Sequence, residues 1–160
     1  MARLEGMAAE IGAALKERGQ TIAVFESSSG GLVSAALLAV PGASRYYQGG
    51  GVIYTQAARS ELARIGEADM RGIRSSSEPY AQLLARQART IFGTDWGLAE
   101  TGAAGPDGNR YGDAPGHSCL AVSGAIDFAE TLETGDADRE ANMWRFAEAA
   151  LDLMRRSLAF

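Results

Sequence analysis

Thr21-Ile22-Ala23-Val24-Phe25-Glu26-Ser27-Ser28-Ser29-Gly30-Gly31 is the stretch around which the chain organises. Its first half is an apolar, β-branched run short enough for a buried strand. Its second half is hydroxyls and glycines, and Leu32 to Val40, rich in Ala and Leu and closed by Pro41-Gly42, reads as a short helix. Ser27 therefore stands where a strand ends and a helix is about to begin. In open α/β sheets ligands bind at the carboxyl ends of strands, and the first N–H groups of a helix are free to meet an anion. Ser is also a common N-cap and Gly a common turn residue, so this loop alone does not make a site.

Working outward, residues 2–18 place Leu4, Met7, Ala8, Ile11, Ala14 and Leu15 at helical spacing, and Gly19 ends that helix. Downstream, Gly49-Gly50-Gly51 before Val52-Ile53-Tyr54 predict a close approach followed by a second strand, and Thr55 caps a helix from Gln56 to about Ile65. Ser77-Glu78-Pro79 starts a helix that continues to Ile91 or Phe92. Trp96 to Glu100 forms a third strand running into the turn Thr101-Gly102-Ala103-Ala104-Gly105-Pro106, and a long loop continues through Gly116. His117–Ala125 and Ile126–Glu133 pair as a hairpin, and the last helix spans about Asp138 to Leu158. Helices alternating with short buried strands predict an α/β fold. The expected form is a three-layer α/β/α sandwich around a mixed, mostly parallel sheet with a C-terminal antiparallel hairpin, in one domain over residues 1–160.

Composition narrows the function. The formal net charge of -5 argues against a nucleic-acid binder. No apolar run reaches the ~18–20 residues that cross a bilayer, and Met1 to Gln20 lacks a signal-peptide layout, so a cytoplasmic location is expected. With a single cysteine, Cys119, and a single histidine, His117, neither an intrachain disulfide nor a His/Cys zinc site is available. Both alternate within an apolar segment and are read as strand residues. No metal and no cofactor are expected.

Three polar clusters then stand at strand ends: Glu26 to Gly31, Tyr54 to Arg59, and Thr101 to Gly105. Their order and spacing resemble the C-terminal domain of CinA, the competence/damage-inducible protein, whose stand-alone members are nicotinamide mononucleotide amidases. Glu26-Ser27-Ser28-Ser29-Gly30-Gly31 is similar to that family's Glu-Ser-Cys-Thr-Gly-Gly, and Val52-Ile53-Tyr54-Thr55-Gln56-Ala57-Ala58-Arg59 to its Val-Thr-Tyr-Ser-Asn-x-x-Lys. Ser76-Ser77-Glu78 matches a Val-Ser-Glu helix start, and Thr101 to Pro106 a Thr-Gly-Ile-Ala-Gly-Pro loop. Gly135-Asp136-Ala137-Asp138-Arg139 approximates a late Gly-Asp-Arg with two residues inserted.

The resemblance implies metal-free hydrolysis of a pyridine nucleotide's carboxamide, with Ser27 as nucleophile helped by Tyr54 and by the residue at 59. Ser29, Gly30, Gly31, Thr101, Gly102, Gly105 and Arg139 would hold the nucleotide. It implies a small-molecule substrate, with neither nucleic acid nor membrane as partner, and leaves a homo-oligomer open. The departure is Arg59. A lysine there acts as a base when its site lowers its pKa, whereas a guanidinium keeps its proton and can only orient, bind phosphate or stabilise negative charge. Two functions are therefore carried forward: a slow amidase, and a catalytically silent nucleotide-binding or regulatory module.

Overall fold

The run at Ile22–Glu26 forms strand β1, buried along its whole length, inside a five-stranded sheet of order β2-β1-β3-β4-β5. The computed structural model describes residues 1–159. The other strands are β2 (Tyr47–Val52), β3 (Trp96–Ala103), β4 (His117–Ser123) and β5 (Asp127–Glu133). The helices are α1 (Ala2–Arg18), α2 (Leu32–Leu38), α3 (Gln56–Glu61), α4 (Glu78–Phe92) and α5 (Arg139–Ser157), with a 3₁₀ turn at Ala43–Arg45.

Side chains alternate across a strand, and here the alternation builds two cores. Ile22, Val24, Trp96, Leu98, Leu120 and Val122 pack with Leu4, Ile11 and Leu15 of α1, Val33 and Leu37 of α2, and Leu151, Leu153 and Met154 of α5. Ala23, Phe25, Ala99, Cys119 and Ala121 face the other way, against Tyr80, Leu84 and Ala88 of α4 and against Ala63 and Ile65. The result is the three-layer α/β/α sandwich. Fully burying a Leu or Ile contributes about 1.5–3 kcal/mol, so each layer is held chiefly by its apolar stripe.

The helix ends follow their sequence signals. Gly19 closes α1 at φ 63°, and Thr55, Ser77 and Asp138 accept N–H bonds from Ala58, Tyr80 and Ala141 as N-caps. The pairings of the sheet split evenly. β2 and β3 run parallel to β1, whereas β3–β4 and β4–β5 are both antiparallel, so antiparallel pairing begins one strand before the hairpin.

The second strand lies earlier than expected, on the three glycines rather than after them. It is an edge strand under α4: a Cβ at Gly49 would enter the Phe92 ring and one at Gly50 would strike the Val24 carbonyl. Close packing there overrides the low strand propensity of glycine. α3 stops at Glu61, because the chain turns at Arg64 (φ 54°) to bury Ala63 and Ile65. β3 extends through Thr101 and Gly102 to Ala103, so these residues are strand rather than turn.

Candidate functional site at the carboxyl ends of β1 and β3

Ser27 follows β1 directly, and the loop it opens is held from beneath by two buried carboxylates. Glu26 and Glu100 keep the register of Val24 and Leu98, which puts both on the α2/α5 side of the sheet. Glu26 accepts hydrogen bonds from the N–H groups of Gly31 (2.9 Å), Val33 (3.1 Å) and Ser34 (2.8 Å). The hydroxyls of Ser29 (2.7 Å) and Ser34 (2.7 Å) also donate to it. Glu100 accepts from the N–H groups of Ser27 (3.0 Å) and Ser29 (2.8 Å) and from the hydroxyls of Ser28 (3.0 Å) and Ser118 (2.9 Å). Burial pushes the Glu100 carboxyl above its ordinary range, outweighing the donors that pull it down. Gly31 turns the loop at φ 98°, a conformation suited to glycine.

On the other side of the loop lies a cavity of about 460 Å³, a volume suited to a small organic ligand. It is lined by Ser27, Ile53, Tyr54, Thr55, Gln56, Arg59, Ser75, Ser76, Tyr80, Thr101, Gly102, Arg110 and Tyr111. Hydroxyls dominate it, and its charged members are two arginines; no Asp, Glu, Lys or His lines it. Arg59 projects from α3, and its Nε is fully buried without a hydrogen-bond partner among the described residues. Among the described residues, neither Arg59 nor Arg110 enters an ion pair. Burial raises the Tyr80 phenol to about 12, against the lowering influence of Arg59, so Tyr80 stays protonated at neutral pH. A hydrogen bond from Arg110 leads the effects that lower Tyr111.

Ser27, Tyr54, Arg59, Thr101 and Gly102 thus share one cavity. The other sequence candidates stand around it. Ser29 is fully buried between Glu26 and Glu100, and the N–H of Gly31 is taken by Glu26, so the loop amides that were expected to meet an anion already have an internal one. Gly30 faces Met143, and Gly105 lies against the Ala137 backbone. Arg139, outside the cavity lining, donates to the Gly105 carbonyl (2.7 Å) and to the Tyr54 hydroxyl (3.0 Å), tying the Gly105 turn to Tyr54.

Sequence reasoning passed over Glu100, Ser75, Arg110 and Tyr111. A glutamate inside an apolar strand was a signal for the first, since a buried carboxylate demands partners. For Arg110-Tyr111 the signal was the length of the loop that carries them.

That loop is anchored through Asp113. Arg74 forks onto Asp113 (2.7 and 3.1 Å), Asn109 donates to it (2.8 Å), and Arg74 packs on the Tyr111 ring. The Arg74 hydrogen bond leads in holding the Asp113 carboxyl below its ordinary range, while burial opposes it. His117 of β4 lies 3.5 Å from Asp113, with Nδ1 on Glu133 and Nε2 on the Ser76 carbonyl (2.8 Å). Burial disfavours the imidazolium. Glu133 and the Ser76 carbonyl can only accept, however, so the doubly protonated ring satisfies both, and His117 ends above its ordinary value.

The folded protein therefore holds a proton that the unfolded chain releases near pH ~6.5. This stabilisation is complete below that pH and disappears as pH rises through the folded value. Urea unfolding of the native protein and of His117→Asn across pH 5.5–8.5 should show a stability difference that shrinks with rising pH. A difference that is flat or grows would contradict the assignment.

Among the described residues, no group of three or more His, Cys, Asp or Glu is placed to hold a metal, and no helix is long and apolar enough to cross a membrane.

The comparisons with known proteins agree with this frame. A CinA-like protein of Gloeobacter violaceus is 36% identical over 154 residues, covering 95% of this chain and 36% of its own length. One of Syntrophotalea carbinolica is 36% identical over 154 residues, covering 96% and 37%. The chain therefore spans about a third of the length of these relatives. A CinA superfamily protein from Klebsiella pneumoniae has the same fold, with a TM-score of 0.90, 24% identity, and 98% of each chain covered. The family model described as the CinA C-terminal domain matches residues 4–158, nearly end to end. With that match spanning nearly the whole chain, and relatives 36% identical over 154 of its residues, the chain belongs to the CinA C-terminal domain family.

Proposed function

We propose that the cavity binds a pyridine mononucleotide and hydrolyses its carboxamide, slowly, with Ser27 as nucleophile. The observation that carries this is the meeting of Ser27, Tyr54, Arg59 and Thr101 in one hydroxyl-lined, cationic pocket, although α2, β2, α3 and α4 separate Ser27 from Thr101 in sequence. Attack of the Ser27 oxygen on the carboxamide carbon forms an ester and a C–O bond. The C–N bond breaks, and the serine proton leaves with the amide nitrogen as ammonia. Water then cleaves the ester, giving the nucleotide acid and restoring Ser27. Arg59, permanently charged, is suited to stabilising the negative charge on the carbonyl oxygen.

A second reading has its own observation. No Lys, His, Asp or Glu lines the cavity to take the serine proton, so the site also suits a nucleotide-binding or regulatory module. The protein is expected to release ammonia from nicotinamide mononucleotide at a low rate that Ser27→Ala abolishes while nucleotide binding persists. Saturable binding with no ammonia would favour the binding module. Turnover surviving in Ser27→Ala would remove Ser27 from the chemistry.

A further inference from the structure

The helix start after Ser27 offers N–H groups to an anion by its sequence, and in the structure those groups are taken. Three N–H groups at the start of α2 donate to Glu26, and those of Ser27 and Ser29 donate to Glu100. An anionic group entering the cavity must therefore find its donors elsewhere. The cavity offers two guanidinium groups on different walls: Arg59 on α3 and Arg110 on the loop between β3 and β4. Among the described residues neither has a carboxylate partner, in a chain whose net charge is -5 and whose other arginines are largely engaged in ion pairs or carbonyl bonds. Arg110 is also pre-placed. It lies over the Tyr111 ring, 5.2 Å from its centre, and donates to the Tyr111 hydroxyl (3.3 Å). Arg74 packs against that same ring at 5.1 Å and is fixed by Asp113.

We infer that Arg110 is the specificity-determining residue for a phosphomonoester: it receives the ligand's phosphate on the loop wall and leaves Arg59 to the end of the ligand that faces Ser27. A planar guanidinium supplies paired N–H donors to phosphate oxygens, and an exposed mouth allows the dianion to enter without full desolvation. The inference rests on the nucleotide reading above.

Calorimetric titration of the native protein and of Arg110→Gln with nicotinamide mononucleotide, nicotinamide riboside and inorganic phosphate tests it. Arg110 is exposed and enters no ion pair among the described residues, so the variant should melt like the native protein. The native protein should bind the mononucleotide more tightly than the riboside. Arg110→Gln should weaken the mononucleotide by roughly tenfold to a hundredfold, to the level of the riboside, whose affinity stays unchanged. Mononucleotide affinity untouched in Arg110→Gln, with the preference over the riboside retained, overturns the inference and leaves the nucleotide reading standing. Arg110-dependent binding of inorganic phosphate without binding of the mononucleotide supports the subsite and overturns the pyridine nucleotide reading. Equal affinity for mononucleotide and riboside, or no saturable binding of any probe at millimolar concentration, overturns the inference.

Discussion

Arg59→Lys should raise the rate of ammonia release from nicotinamide mononucleotide by about 10²–10⁴-fold, the usual contribution of a placed general base. The expectation comes from what surrounds position 59. Arg59 Nε is buried and unpartnered, Tyr80 beside it is neutral, and no carboxylate lines the cavity to hold a proton on a lysine. Desolvation and the second cation, Arg110, both lower a lysine's pKa, which brings the amine toward its basic form near neutral pH. Arginine in the same place keeps its proton. The gain should vanish in a Ser27→Ala, Arg59→Lys double variant. A native rate that Arg59→Lys abolishes would instead assign arginine an electrostatic role that an ammonium cannot fill. No ammonia from either form, with nucleotide bound, would establish the binding module.

The two carboxylates beneath the loop should respond differently to the same amide substitution. Glu100 meets two N–H donors through Oε2 and two hydroxyls through Oε1. Glutamine at 100 can keep its carbonyl on the N–H pair and turn its NH₂ to Ser28 and Ser118, whose hydroxyls reverse from donor to acceptor. The Thr101 carbonyl, 3.4 Å from Ser118 Oγ, can then accept the hydrogen bond that the Ser118 hydroxyl no longer donates to residue 100. Glu100→Gln should therefore change stability by less than about 1 kcal/mol.

At Glu26 the donors include N–H groups on both oxygens, so glutamine sets an NH₂ against either Ser34 N–H or the pair from Gly31 and Val33. Glu26→Gln should cost about 1–3 kcal/mol, and Glu26→Ala, which strands every donor, about 3–5 kcal/mol with a Tm lower by on the order of 10 °C. Urea denaturation of the three variants checks this. Equal losses for Glu26→Gln and Glu100→Gln would contradict the hydrogen-bond assignment.

Much of the fold was legible because its signals are local. The Ile22–Glu26 run, the caps at Thr55, Ser77 and Asp138, and the Gly19 stop each act through a few neighbouring residues. What escaped depends on residues far apart in sequence. Gly49 is strand because Phe92 needs its missing Cβ, and nothing near Gly49 says so. The serine loop was legible as a turn, but its glycines and amides serve Glu26 and Glu100 rather than an open anion seat, a fact set by a glutamate 73 residues from Ser27. Arg110 and Tyr111 reach the cavity only because Arg74 and Asp113 fold their loop back over it.

The most direct measurement is a crystal structure of the protein soaked with nicotinamide mononucleotide. The account predicts the nucleotide in the Ser27 cavity, its carboxamide carbon about 3–3.5 Å from Ser27 Oγ and its phosphate on Arg110. An empty cavity at millimolar nucleotide, or a ligand whose carboxamide points away from Ser27, would contradict it.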